Sequence, residues 1–384
     1  MIIQTYFHID KTVLLFIHII IMSLLMSCSP DKDGEKVEAE VSISVNLSSP
    51  DKEMGLSEFI DSVTIVRLTL PDSLVFGMVR DFLTDGRYYY ISDPKQHVVF
   101  RFDRNGEYLN TIGRVGGGPG EYTRLGNCFL GDSCVFIDDL NIRRIFCYTP
   151  EGEFVRSVSF PFNTVYNEIV SLPNGDFLCQ DLSCSEEFPE RGLWIMNDKG
   201  EKISTILETK EIYPYIGRNY ATLFKESDTI IRAYNPSSGE FYSFNWDNKT
   251  LRKTYQLQPD IRMLSDFKGH AVDNGLKAER VDCIMAIESR RYLFAFWGIF
   301  ADEPTGRSVY TLYDKQAKRS TSFSKLKLDF EQLFSLGAFI SSNIPNVLVT
   351  YLSNEYTQEL FPEEYKQANM GDNVLILQIM HFKP

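Results

Sequence analysis

Hydrophobic and polar residues alternate with a period of two in many short segments of the chain, and the clearest case begins at Val98. Within Val98–Phe102, the side chains of Val98, Phe100 and Phe102 share one face, which predicts a half-buried strand. Asp103–Gly106 supplies a turn in which asparagine and glycine tolerate positive φ, and Tyr108–Ile112 starts a second strand. The pattern therefore predicts a β-hairpin.

The hairpin recurs along the chain at a nearly constant spacing. Turn glycines lie at 106, 152 and 200, so the first two intervals are 46 and 48 residues. The later copies are Ile145–Val158, Gly192–Ile206, Phe241–Tyr255 and Val309–Phe323. Each of the five hairpins follows another strand, and these strands are, in order, Tyr88–Ser92, Cys134–Asp138, Phe177–Gln180, Ile230–Tyr234 and Tyr292–Trp297. Repeats of this period predict a β-propeller, in which each blade contains four short strands.

Two further alternating segments lie near the chain ends and lack a hairpin partner of their own. These are Ser62–Leu70 and Val374–Phe382. Pairing them would close the ring and remove exposed strand edges. The sequence thus predicts an all-β, six-bladed propeller of four-stranded antiparallel blades, closed by the N- and C-terminal strands.

Some connections between the predicted blades are long enough to contain short helices. Three segments carry apolar residues at helical spacing or helix end signals: Pro259–Lys277, Lys325–Phe339 and Phe361–Met370. Such insertions would lie on a propeller's faces, where they can cover or shape the central opening.

Residues 1–27 have the pattern of a lipoprotein signal peptide. An apolar run from Val13 through Met26 follows Lys11, and Leu25-Met26-Ser27-Cys28 resembles a lipobox. The mature chain is then predicted to begin at Cys28, carrying acyl chains that include palmitate-type groups. A plain signal peptide or an N-terminal membrane anchor remains the alternative.

Residues 28–55 are predicted to be an acidic flexible tether, and residues 56–384 the propeller. Acidic residues soon after the acylated cysteine resemble a surface-export signal, and Ser29 does not resemble an inner-membrane retention residue. We therefore expect attachment to the outer membrane through the N-terminal lipid, with the surface favoured over the periplasmic side.

The charge of the chain argues against nucleic acid as a partner. Lys plus Arg number 39 against 52 Asp plus Glu, which gives a formal net charge of −13, and no basic stripe is present. Binding to nucleic acid depends mainly on cationic neutralisation of phosphates. The acidic balance is more typical of a soluble surface.

Six cysteines other than Cys28 remain in the mature chain: Cys128, Cys134, Cys147, Cys179, Cys184 and Cys283. An even number in an exported chain permits disulfides, but no CxxC or metal-binding spacing is present. We favour buried thiols, with Cys179 and Cys184 as the first pair to test.

The loop after the first hairpin is the sharpest candidate for a binding site. It contains Arg114, Gly116, Gly117, Gly118, Pro119, Gly120, Glu121 and Tyr122. Its glycines would let backbone amides approach a ligand, while Arg114 and Glu121 could pair with charged groups. It matches neither GxxxxGK[ST] nor GxGxxG before a helix. We favour the alternative, a wide crossover between blades with Tyr122 packed beneath it.

No catalytic motif is recognisable, and the sequence assigns no catalytic residue. The mature chain contains three histidines, His97, His270 and His381, in separate segments, which disfavours a three-histidine zinc site. Asp138 and Asp139 at a strand end could bind calcium near the axis, although such pairs are usually solvated. No cofactor is therefore expected, with calcium as the alternative.

Taken with the lipobox and the repeats, the segment IGRVGGGPGEYTRL resembles six-bladed β-propeller lipoproteins of Gram-negative gut anaerobes, relatives of NHL-repeat propellers. The matching positions are Asp103, Gly106, Leu109, Ile112, Gly113, Gly116, Gly118, Pro119, Gly120, Glu121 and Tyr122. The resemblance implies a propeller and attachment to the cell envelope, and it implies no known reaction.

The preferred functional hypothesis is a non-catalytic binding or scaffold module on the outer membrane, serving nutrient capture or an envelope complex with a protein or glycan partner. The alternative is a metal-dependent hydrolase or lyase with an axial site, acting on a small or glycan substrate. Polar side chains from several blades that converge on one end of the channel would distinguish the two.

Overall fold

Short antiparallel strands account for nearly all of the regular structure. The computed structural model describes residues 39–162, 164, 166–182, 192–209, 220–263, 266, 280–300, 307–333, 335–353 and 371–384. The strands form six sheets, each corresponding to one propeller blade, and one additional two-stranded pair, Met54–Gly55 with Leu326–Lys327. The predicted six-bladed fold is confirmed.

The blades follow the chain, and the strands of each are given from the innermost to the outermost. Blade 1 contains Asp81–Thr84, Tyr89–Asp93, Val98–Phe102 and Tyr108–Ile112, with Ser341–Ser342 added inside it. Blade 2 contains Cys128–Leu130, Val135–Asp139, Arg144–Tyr148 and Phe154–Ser159; blade 3 contains Glu168–Ser171, Phe177–Asp181, Gly192–Met196 and Lys202–Glu208. Blade 4 contains Leu223–Lys225, Ile230–Asn235, Glu240–Asn245 and Thr250–Pro259, with Val41–Val45 added outside it. Blade 5 contains Arg280–Glu288, Tyr292–Phe300, Arg307–Asp314 and Arg319–Phe323; blade 6 contains Ala338–Phe339, Val347–Ser353, Val374–Phe382 and Ile60–Thr69.

Blade 6 joins the two ends of the domain, as predicted from the unpaired terminal segments. Val374–Phe382 pairs antiparallel with Ile60–Thr69 along their whole length, so that Val374 lies opposite Thr69 and Phe382 opposite Ile60. The ring is therefore closed by hydrogen bonds between residues more than 300 positions apart.

Apolar side chains fill each of the six contacts between neighbouring blades. The described residues contain six hydrophobic clusters, and each joins one blade to the next around the ring. Phe100 of blade 1 and Leu377 of blade 6, for example, belong to the same cluster. The period-two pattern arises because alternate side chains of each strand face the next blade.

The propeller begins earlier in the chain than residue 56, so the predicted tether boundary is wrong. Val41–Val45 forms a fifth strand that pairs in parallel with Thr250–Pro259. Ile43, Val45 and Leu47 are at most 2% exposed, because they pack into the cluster between blades 4 and 5. Burial of these side chains holds the segment in place despite its polar neighbours.

Helical structure is scarce among the described residues, where one short 3₁₀ helix spans Leu56–Glu58. The helix expected within Lys325–Phe339 is wrong. That segment runs as strand, turn and strand, and its apolar residues pack into the cluster between blades 5 and 6 as an extended crossing. Most of Pro259–Lys277 and all of Phe361–Met370 lie outside the described residues. No helix in the described part of the chain is long and apolar enough to cross a membrane.

Four cysteines, Cys128, Cys134, Cys147 and Cys179, are free thiols. Three of them are buried, and Cys134 is half-buried. Cys179 packs in the cluster between blades 2 and 3, where a small apolar side chain fits. Its suggested partner Cys184 lies outside the described residues.

Candidate functional site

The central channel of the propeller has two ends, and different parts of each blade lie at each end. We call the end at which the innermost strands begin the entry face, and the end at which they finish the exit face. The entry face also carries the crossovers between blades and the turns that follow the second strands. Because inner strands of all blades run in the same direction, residues at their first positions meet at the entry face.

A cavity of about 550 Å³ extends from the entry face into the channel, and we call it the entry cavity. Its wall draws on blades 1 to 4 and on the Ser341–Asn343 segment. The polar side chains in the wall, with tyrosine included, are Arg80, Asp81, Arg124, Asn127, Asp139, Asn141, Tyr166, Asn167, Glu168, Ser171, Tyr220, Lys225, Ser341, Ser342 and Asn343. Its volume is typical of a site for a small molecule.

An ion pair from blade 1 forms part of this wall. The Arg80 Nε donates to Asp81 Oδ2 at 2.9 Å, and the Arg80 guanidinium also donates to the backbone carbonyl of Gly126. Ser92 Oγ donates to Asp81 Oδ2 at 2.6 Å. Burial opposes the charge of Arg80, but the neighbouring Asp81 outweighs it and raises the pKa of the guanidinium.

Asp138 and Asp139 are buried and serve the backbone of the crossover into blade 2. Asp138 Oδ1 accepts from the Asn127 backbone N–H at 2.7 Å, and Oδ2 accepts from Asn127 Nδ2 at 2.9 Å. Asp139 Oδ2 accepts from both Thr123 and Arg124 N–H groups. Burial nevertheless raises the pKa of Asp138 to about 6. These carboxylates hold the wall of the entry cavity in position, a role that needs no calcium.

Glu168 is the first residue of blade 3's inner strand. Unlike those of Asp81 and Asp139, the other acids of the wall, its side chain makes no direct hydrogen bond or ion pair with another described residue. It is half-buried and lines the entry cavity. Burial, followed by repulsion from Asp81, raises its pKa to about 8, and Arg80 opposes this shift only in part. A carboxyl group in this state is largely protonated near neutral pH.

The glycine-rich loop predicted as a candidate site connects blades 1 and 2 at the entry face. Glu121 accepts from the Gly118 N–H at 2.7 Å, which lowers the pKa of Glu121, and it pairs with Arg114 Nε at 2.6 Å. Tyr122 is fully buried and donates to the His97 carbonyl at 2.7 Å. These are contacts of a crossover between blades.

Gly120 of this loop also belongs to the contact between the crossover and blade 2. Gly120 has φ +74° and lies against the Phe154 ring, so a side chain there would collide with blade 2. The Gly120 carbonyl accepts from the Tyr148 hydroxyl at 2.8 Å. A ligand-binding role for Arg114 through Tyr122 stays a prediction.

A second cavity, of about 300 Å³, lies toward the exit face beside blades 4, 5 and 6, and we call it the exit cavity. Each acid in its wall, Glu40, Glu226 and Glu288, forms an ion pair. Arg232 Nε contacts Glu226 Oε2 at 2.6 Å, and Lys315 Nζ contacts Glu288 Oε1 at 2.8 Å. We therefore place the candidate site in the entry cavity, where Glu168 lacks such a partner.

The other sequence-based candidates are not brought together. His97 lies in the turn after blade 1's second strand, His381 lies in blade 6, and His270 and Cys28 are outside the described residues. No group of three or more His, Cys, Asp or Glu side chains that could hold a metal ion occurs in the described part of the chain.

Sequence reasoning missed Arg80, Asp81, Asn127 and Glu168. Each stands at or just before the start of an inner strand, and these strands are only three or four residues long. So short a segment carries little periodic pattern. An alignment of the repeats by their first strands, rather than by their hairpins, would have placed these residues at one end of the channel.

Comparison with solved structures supports the fold and gives no reaction. A predicted exported protein from Bacteroides fragilis NCTC 9343 is 15% identical, covers 90% of this chain and 100% of its own, and has a TM-score of 0.68. A member of the DUF4221 family from Bacteroides vulgatus ATCC 8482 is 12% identical, and the match covers 85% of this chain and 97% of that protein with a TM-score of 0.52. Identities this low show the fold alone.

No curated protein is significantly similar to the chain. A family model, described as a domain of unknown function (DUF4934), matches residues 40–377, which is nearly the whole propeller. The chain therefore belongs to the DUF4934 family, and its matched region is a six-bladed β-propeller.

Proposed function

We propose that this protein is an exported, lipid-anchored binding protein of the outer membrane that takes a small polar ligand in the entry cavity without transforming it. The observation that carries the proposal is the position of Glu168, which is half-buried in the wall of a cavity of about 550 Å³. The Glu168 side chain has no direct hydrogen-bond or ion-pair partner among the described residues. Most other polar groups of the wall are already bonded within the protein, so the ligand would complete the hydrogen bonding of Glu168.

The similar protein from Bacteroides fragilis is named as an exported protein, and this supports an envelope location for the present chain. The lipobox Leu25–Cys28 supports lipid attachment. We expect Cys28→Ala to abolish incorporation of labelled palmitate and to move the folded protein from the membrane fraction to the soluble fraction. Cys134→Ala is the matched control and should stay in the membrane fraction. Retention of the Cys28→Ala protein in the membrane would refute the anchor.

Binding is tested by thermal unfolding of the detergent-purified full-length protein with a panel of small sugars, amino acids, amines and diols. A ligand present at 100 times its Kd stabilises the folded state by about 2.7 kcal/mol. Ala221→Trp should remove the stabilisation, because Ala221 lines the channel and a tryptophan there would fill it. A ligand that stabilises both proteins equally binds elsewhere, and that result would contradict the proposal.

An enzymatic function is the second candidate, and Glu168 is the observation that favours it. A carboxyl group with a pKa of about 8 can donate a proton at neutral pH, as a general acid does. Arg80 and Asp81 would then orient the substrate. NMR would monitor whether a bound ligand is converted to product. Conversion by the unsubstituted protein, and loss of turnover without loss of folding in Glu168→Gln, would support an enzyme rather than a binding protein.

A further inference from the structure

More negatively charged than positively charged groups surround the carboxyl group of Glu168. The ionisable groups that act on its carboxyl group are Asp81 and Arg80 of blade 1 and Asp138 of blade 2. One guanidinium thus faces three carboxyl groups. The Arg80 guanidinium is in turn engaged by Asp81 and by the Gly126 carbonyl. Positive charge is therefore what this part of the cavity lacks when all its acids are ionised.

The other charged groups of the wall do not supply this charge. Lys225 pairs with Asp228 at 3.1 Å, and Asp139 accepts from backbone amides of the crossover and of the turn that follows its strand. Arg124 is exposed at the rim. Tyr166 and Cys128, which also lie beside the acids, have pKa values raised by burial and stay neutral. A bound cation could thus approach Glu168 through open space without displacing an existing ion pair.

We propose that the entry cavity binds a small organic cation through a primary ammonium group placed on Glu168. This inference rests on the proposed function and names the class of its ligand. An ammonium group has three N–H donors and a compact charge, and it suits a carboxylate that has no other direct partner. The polar groups and Tyr220 in the rest of the wall would surround the remainder of the ligand.

The direction of the pH dependence separates an ammonium ligand from a neutral one. An ammonium group binds the ionised carboxylate, so its affinity should rise as pH increases through the pKa of Glu168, about 8. A hydroxyl group that accepts a hydrogen bond from the neutral carboxyl group would bind more weakly as pH rises. Asp138, with a pKa of about 6, is mostly ionised before the pH reaches the pKa of Glu168, so its own titration adds little near pH 8.

The probes are 5-aminopentan-1-ol and its neutral counterpart pentane-1,5-diol, with Kd measured by ligand-observed NMR on the full-length protein at pH 6.5 and 8.5. We expect the amine to bind about twentyfold more tightly at pH 8.5 than at pH 6.5, because the ionised fraction of Glu168 rises by about that factor, and the diol to bind more weakly than the amine at pH 8.5. Glu168→Gln should remove the preference for the amine and the pH dependence. Glu53→Gln, an exposed change outside the cavity wall, should retain both.

Equal binding of the two probes, or binding of the amine that is unchanged in Glu168→Gln, would overturn this inference. So would absence of amine binding. If other members of the panel still bind and are blocked by Ala221→Trp, the binding function survives with a different ligand class. If nothing in the panel binds in the cavity, the proposed function fails as well.

Discussion

The carboxylate of Asp139 forms two hydrogen bonds with Thr123, because Oδ2 accepts from both the backbone N–H and the hydroxyl group of Thr123, each at 2.6 Å. The other oxygen accepts from the Asn141 N–H at 3.0 Å. Asp93 holds the chain that enters blade 1 in the same way, through Gly77 and Lys95. An aspartate at the end of the second strand thus fixes both the incoming crossover and the following turn.

Replacing Asp139 with alanine should lower the free energy of unfolding by about 3 kcal/mol, because three backbone N–H groups and the Thr123 hydroxyl group lose a charged acceptor. Urea unfolding monitored by fluorescence measures this. Burial alone would raise the pKa of Asp139, but the hydrogen bonds from Thr123 outweigh it and lower the pKa. The stabilisation should therefore be present at neutral pH and disappear as pH falls below about 4. Asp132→Ala, an exposed change, should alter stability by less than about 0.5 kcal/mol.

The closing strand offers a matched pair of substitutions on its two faces. Leu68 is fully buried in the cluster between blades 6 and 1, whereas Ile65 is 41% exposed. Leu68→Ala should lower the free energy of unfolding by about 3 kcal/mol through lost burial and a cavity. Ile65→Ala should change it by less than about 1 kcal/mol. Similar losses in both variants would contradict the assigned register.

The N-terminal boundary is tested by comparing chains that begin at residue 39 and at residue 56. The shorter chain lacks Ile43, Val45 and Leu47, and each buried apolar side chain contributes about 1.5–3 kcal/mol. We expect its unfolding free energy to be lower by about 5 kcal/mol, measured by chemical denaturation. Equal stability would show that the added strand does not support the ring.

Two turn glycines with nearly the same backbone conformation differ in their surroundings. Gly86 has φ +84°, and a Cβ added there would have no neighbouring atom within 4 Å, whereas a Cβ at Gly106, φ +87°, would lie 1.9 Å from the Arg67 carbonyl oxygen. Gly86→Ala should cost about 1–2 kcal/mol, the cost of left-handed backbone alone. Gly106→Ala should cost at least about 2 kcal/mol more, because blade 1 must shift away from blade 6. Thermal unfolding of both variants measures the difference.

Glu168 should make the folded state less stable as pH rises. Its folded-state pKa is raised above the unfolded value of about 4.3, so the folded state binds more protons between these values and loses stability across pH 5–8. We expect Glu168→Gln to flatten this loss and to be more stable than the unsubstituted protein at pH 8, by about 1 kcal/mol or more. Parallel pH profiles of the two proteins would contradict the assigned pKa.

The hairpins and the closing strands could be predicted because alternation over five or more residues, with glycine turns at 106, 152 and 200, leaves few other structures. The strand Val41–Val45 was not predicted, although the residues from Val41 to Leu47 alternate, because acidic residues precede it and its partner Thr250–Pro259 lies more than 200 positions away. Lys325–Phe339 carries a misleading helical pattern, because an extended segment that packs irregularly can mimic helical spacing.

The site was harder to predict than the fold. Glu168 and Asp81 are 87 positions apart, and no local pattern relates them. They meet because separate inner strands begin at the same end of the channel, which is a property of the ring rather than of either segment. The glycine-rich loop is conspicuous by its composition, which its crossover geometry explains.

The pairing of Ile60–Thr69 with Val374–Phe382 also sets an order of events during biosynthesis. The strand that completes the circle, Val374–Phe382, leaves the ribosome more than 300 residues after its partner Ile60–Thr69. Closure must wait for all six blades, so folding is expected to be slow, as for other topologies dominated by distant contacts. A premature stop codon just before Val374 would leave blade 6 without its third strand and the circle open.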